Sequence, residues 1–132
     1  MGAATPTAQE LGLMQGSPPT PDRLVTLENW QTEPWNRWSL QHVRQLIPSA
    51  RISRGRGPVR ELPAAPADLD GLTFQTSRGQ RTLAALLAQS YIDGFIVLHR
   101  GRIVTEQYFN SMERDTPHLL QSISKSVTGA LA

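Results

Sequence analysis

The strongest constraint on how this chain folds is a pair of apolar runs on either side of Arg100-Gly101. Phe95-Ile96-Val97-Leu98-His99 precedes the pair and Arg102 to Phe109 follows it. Both runs are rich in β-branched and aromatic residues, which suit a pleated strand. A two-residue connection containing glycine predicts a β-hairpin, although arginine is a poorer partner for that glycine than asparagine or aspartate. The unbroken apolar stretch of the first run predicts a strand covered on both faces. Two strands alone are marginally stable in water, so the hairpin is expected to join a larger sheet.

Helical patterns lie upstream. Thr82 is placed to cap a short helix in which Leu83, Leu86, Leu87 and Tyr91 share a face, with Asp93-Gly94 as its stop. Leu40, Val43, Leu46 and Ile47 recur at helical spacing before Pro48, with Asn36 or Ser39 available as the cap. Trp30, Trp35 and Trp38 fall within nine residues, a clustering that points to packing. His42 has no histidine, cysteine or carboxylate one turn away, so it reads as a surface or cap residue and not a ligand. Tyr91 and Tyr108 fit packing roles.

Residues 1–23 carry Pro6, Pro18, Pro19 and Pro21 with Gly2, Gly12 and Gly16, a mixture that packs little, and are expected to form a disordered leader. They lack the basic start and apolar run of a secretory signal, and no stretch approaches a membrane span, so a cytoplasmic protein without a membrane partner is the expectation. Leu62 to Gly71, with Pro63 and Pro66, reads as a stiff connector. Arg51, Arg54, Arg56 and Arg60 crowd a loop with Gly55, Gly57 and Pro58. Such a loop can bind RNA or phosphate, but no aromatic ring is interleaved for base stacking. The formal charge is only +2, from twelve arginines and one lysine against eleven acids, so a solvated or internally paired loop is expected and no nucleic acid. Cysteine is absent, which excludes disulfides and thiolate metal sites.

The single lysine, Lys125, stands three residues after Ser122. Residues i and i+3 share a helix face, so this SxxK can set an amine beside a hydroxyl. A serine attacks carbonyls poorly unless a neighbour takes its proton, and a neutral lysine can do so without histidine. With a reference pKa near 10.4, keeping a lysine neutral at pH 7 costs about 4.6 kcal/mol, so burial or a helix N-terminus must push that value down. The alternative is plain: Ser122 caps a helix and Lys125 is a solvated side chain.

Further residues bring in a family. Asn36-Arg37-Trp38 with Pro48-Ser49-Ala50, Tyr91-Ile92-Asp93-Gly94-Phe95 with Val97-Leu98-His99-Arg100-Gly101, and above all His118-Leu119-Leu120-Gln121-Ser122-Ile123-Ser124-Lys125-Ser126 resemble the serine hydrolases of the class C β-lactamase and penicillin-binding-protein superfamily, and within it the 6-aminohexanoate-dimer hydrolases. The resemblance implies an α+β fold (β-lactamase/transpeptidase-like), with 24–132 as the N-terminal portion of the hydrolase domain. It implies Ser122 as the acylated nucleophile, Lys125 as its proton acceptor and the Ser122 backbone N–H as half of an oxyanion hole. It further implies a small amide or ester substrate and neither cofactor nor metal. Such hydrolases also use a tyrosine from a later motif and a late Lys/His-x-Gly strand, which the resemblance places well beyond Ala132. A truncated chain, inert alone, is therefore expected; a self-sufficient, non-catalytic interaction module is the other reading. Oligomeric state is not legible.

Overall fold

The computed structural model describes residues 3–53, 55–77 and 79–132; Gly2 of the leader and Arg54 of the arginine loop lie outside them. Helix α1 spans Asn36–Leu46, and strands β1 (Thr73–Thr76) and β2 (Gly79–Thr82) form a hairpin that runs directly into α2 (Leu83–Ala88). Strands β3 (Gly94–His99) and β4 (Arg102–Tyr108) form a second antiparallel hairpin. A single 3₁₀ turn, Gln121–Ile123, leads into α3, Ser124–Leu131.

The hairpin turns where the sequence places it. Arg100 and Gly101 both take positive φ, 50° and 75°, the twist that matches right-handed strands. Its register shifts between Val97, opposite Thr105, and Leu98, opposite Ile103, leaving Val104 as the extra residue of a bulge. Covering on both faces is not what β3 shows: Phe95 and Val97 are half-buried, whereas Ile96 and Leu98 on the other face are 51% and 52% exposed. Alternation therefore decides these side chains, as in a sheet with one packed face.

The connector does more than span a gap. Ala64 bridges Ile103 in parallel, with Ala65 and Ala67 N–H donated to Ile103 and Val104 and the Ile103 N–H donated to Pro63. Pro63 and Pro66 have no N–H to offer, so the segment pairs through its alanines and stays a short edge. The β1–β2 hairpin was not legible beforehand; Gly79, with φ of 99°, permits its turn. Leu83 N–H is donated to Leu72, tying this hairpin to α2, whose Thr82 cap accepts from Ala85 N–H at 3.1 Å as the sequence suggests. Leu83 and Leu87 are buried on that helix. Helix α1 lacks the expected side-chain cap: Trp35 occupies the position with helical φ and ψ, and Ser39 donates its hydroxyl to the Trp30 carbonyl instead.

The leader is the largest departure from expectation. Residues 3–23 form successive turns packed on the body: Thr5 N–H is donated to Ala88 at 2.8 Å, Ala8 N–H to Asn110 Oδ1 at 2.7 Å, and Leu13 is 5% exposed. Composition misses this because these segments are ordered by bonds to distant residues, not by local periodicity. Among the described residues no helix is long and apolar enough to cross a membrane.

Candidate active site

Between α2 and β3 the chain must pass from a helix to a strand, and the residue at that corner, Asp93, is turned inward. Its side chain is 5% exposed. Arg37, from the first turn of α1 and 3% exposed, donates Nη1 to Asp93 Oδ1 at 2.8 Å, and Asn110 Nδ2 donates to the same oxygen at 3.1 Å. Gln41 Nε2 and His118 Nε2 reach Oδ2 at 3.0 and 3.1 Å. A buried carboxylate is tolerated when opposite charge and several donors replace its water, and these groups do so. Arg37 also donates Nε to the Pro6 carbonyl and lies 5.0 Å from the Tyr91 ring centroid, while Asn110 donates to the Arg37 carbonyl at 2.6 Å. Asn110 has φ of 53°, a conformation asparagine tolerates better than most residues.

This polar hub fixes the approach to the SxxK segment. His118 is bound to Asp93, and the next residue, Leu119, donates its N–H to Leu40 of α1 at 2.8 Å. Gln121 then takes φ of 50°, unusual for a residue with a Cβ, and its carbonyl accepts the Ser124 hydroxyl at 2.6 Å. Ser122 lies in the 3₁₀ turn that begins at Gln121 and Lys125 in the first turn of α3, so the two side chains three positions apart face the same side. Lys125 Nζ accordingly donates to Ser122 Oγ at 2.8 Å. Ser122 is not the cap of α3: the cap position is Ile123, and no side-chain bond is made there. Every residue from Gln121 to Ala132 is exposed.

The structure thus brings Ser122 and Lys125 together and leaves both in solvent. Tyr91 lies beneath the Arg37 guanidinium, and Tyr108 donates its hydroxyl to Glu106, a bond that holds the phenol above its ordinary pKa, with desolvation adding to the effect. His42 stacks on Trp38, the rings 4.2 Å apart and 4° from parallel, with Nδ1 2.7 Å from the Trp38 carbonyl. Beside the 3₁₀ turn a cavity of about 460 Å³ opens against the hairpin, lined among others by Leu40, Phe95, Ile96, Tyr108, Met112 and Ile123. Among the described residues no group of three or more His, Cys, Asp or Glu is arranged to hold a metal ion.

Reasoning from the sequence did not find the hub. Asp93 reads as part of a helix stop and Arg37 only as part of the stretch that carries the family resemblance, whereas both are buried with their charges paired. The available signal was an acid between Ile92 and Phe95, in the middle of an apolar transition.

No protein-family model matches the chain. A 6-aminohexanoate-dimer hydrolase of Paenarthrobacter ureafaciens is 34% identical over 110 residues, covering 80% of this chain and 26% of that protein. A solved structure from Bacillus anthracis, provisionally named a 6-aminohexanoate-dimer hydrolase, superposes with a TM-score of 0.75 at 30% identity, covering 87% of this chain and 30% of its own. The chain therefore spans about a quarter of the length of the curated relative it matches.

Proposed function

We propose that this chain, which belongs with the 6-aminohexanoate-dimer hydrolases, carries the nucleophile and the base of a serine hydrolase of β-lactamase/transpeptidase-like fold. The observation that carries the reading is the 2.8 Å contact between Lys125 Nζ and Ser122 Oγ. In that contact the amine is the donor. For catalysis its polarity reverses: a neutral Nζ accepts the Ser122 proton as Oγ attacks the carbonyl carbon of a linear amide or carboxyl ester. The oxyanion that forms is held in part by the Ser122 backbone N–H. Its collapse expels the amine or alcohol, which takes the proton from Lys125, and leaves an ester on Ser122. Water then attacks that ester, its proton passing to Lys125 Nζ, and collapse of the second tetrahedral intermediate breaks the bond to Ser122 Oγ, which takes that proton back as the acid is released.

Such chemistry requires Lys125 to be uncharged, and so requires cover that excludes water. All of Gln121 to Ala132 is exposed, so on this reading the 132 residues alone are expected to show no hydrolysis, for want of the cover that would keep Lys125 neutral. A non-catalytic interaction module is the other reading; the position of Ile123, and not Ser122, at the cap of α3 favours the hydrolase over it.

A fluorophosphonate probe on the full-length natural protein tests this. The adduct is expected on Ser122, and Ser122→Ala is expected to lower hydrolysis of a nitrophenyl ester and of a linear aminohexanoate dimer by at least about 10³-fold. Label on a different residue in an active preparation overturns the assignment.

A further inference from the structure

We infer that His118 is the positioning residue for Ser122, through its bond to Asp93; this rests on the reading of Ser122 as the nucleophile. Among the described residues after Leu119, the hydrogen bonds up to Ala132 are local: those within the 3₁₀ turn and α3, with Ile123 N–H to Leu120, Ser124 Oγ to Gln121, Lys125 Nζ to Ser122 and Thr128 Oγ1 to Ser124. The His118–Asp93 bond at 3.1 Å and the Leu119–Leu40 bond at 2.8 Å are the final ties of this segment to the body. Only three residues separate His118 from Ser122, and one of them, Gln121, is held at positive φ. A displacement at His118 therefore passes to the nucleophile with little slack.

Asp93 is a fixed point for this purpose. Arg37, Gln41 and Asn110 hold it from other elements, so the carboxylate does not follow a shifted loop. His118 is the exposed rim of that cluster, with a side chain 25% exposed against 5% for Asp93. Removing the imidazole leaves Asp93 with its remaining donors. The loss falls on the placement of the loop and not on the hub. Placement matters because a nucleophile misaligned by about 1 Å loses on the order of 10²-fold in rate.

The test uses the full-length natural protein and two variants. His118→Phe keeps a ring of similar size and removes the bond; His118→Gln restores a donor near the position of Nε2. Fluorophosphonate acylation of Ser122 and kcat for a nitrophenyl ester are expected to fall about 10- to 100-fold in His118→Phe, the range of one charge-assisted hydrogen bond. KM is expected to stay within about threefold, and His118→Gln is expected to recover most of the rate. Hydrogen exchange at the Leu119 amide is expected to quicken in His118→Phe, with the amides of α2 unchanged. Wild-type acylation by His118→Phe, or failure of His118→Gln to restore it, overturns the inference while leaving the nucleophile in place. An adduct absent from Ser122 in the wild-type protein defeats the nucleophile reading instead, and unchanged Leu119 exchange then defeats the anchoring as well.

Discussion

The surroundings of Asp93 and those of Ser122 treat polar groups in opposite ways. Around Asp93, a carboxylate and a guanidinium with side chains 5% and 3% exposed are removed from water, and donors from α1, Asn110 and His118 take its place. Around Ser122 the hydroxyl and amine are in contact at 2.8 Å, yet the whole segment stands in solvent. The difference separates position from activation. A hydrogen bond sets geometry in either setting, but the same charges interact several times more strongly where the effective dielectric constant is low. One part of the molecule has both. The other has geometry alone.

That contrast can be broken first at the hub. Arg37→Leu leaves Asp93 buried without its counter-charge and is expected to cost about 3–5 kcal/mol in urea unfolding, a large share of a small domain's stability. A cost below about 1 kcal/mol would mean that water reaches Asp93 and that the two environments are alike. On the exposed side, Leu120, Ile123, Val127 and Leu131 fall along one stripe at 50%, 63%, 57% and 84% exposure. In the 132-residue chain, Val127→Ser is expected to change stability by no more than about 0.5 kcal/mol and to reduce binding of a hydrophobic dye. A large destabilisation would place that stripe in a packed interior.

The smallest effect lies in the N-terminal turns. Glu10 accepts from the Thr7 N–H at 2.7 Å and the Thr7 hydroxyl at 2.8 Å, and the backbone bond above all holds its carboxyl below the ordinary value. A depressed carboxyl contributes stability above its unfolded pKa and loses it as pH falls through the folded one. The Thr7 amide resonance is expected to move as Glu10 is titrated at acid pH, below the usual glutamate range. No movement would mean that this turn is held without Glu10.

How much was legible follows from the range of each interaction. The Arg100-Gly101 turn, the Thr82 cap, the end of α1 before Pro48 and the Ser122–Lys125 contact depend on residues a few positions apart, and their signals lie in local spacing. The ordered leader, the pairing of Ala64 with Ile103 and the Asp93 cluster join residues 17 to 102 positions apart. Local spacing does not mark which partners meet. Proline and glycine in residues 3–23 argued for disorder, but bonds from Thr5 to Ala88 and from Ala8 to Asn110 set the outcome. The β3 strand shows the same limit: its residues specify a strand, but not which face is covered.

By itself the sequence determined that the chain turns at Arg100-Gly101 between two strands, that Thr82 caps a helix, and that one amine meets one hydroxyl a short turn away, because each needs only backbone geometry and neighbouring side chains. Only the tertiary structure decided that an aspartate at a helix-to-strand corner is buried and that Arg37, Asn110 and His118 meet on it, ordering the N-terminal turns and the approach to Ser122. The reason is the cost of isolating charge from water: Asp93 is stable inside only where its counter-charge and several donors arrive together, and the folded chain alone brings them there.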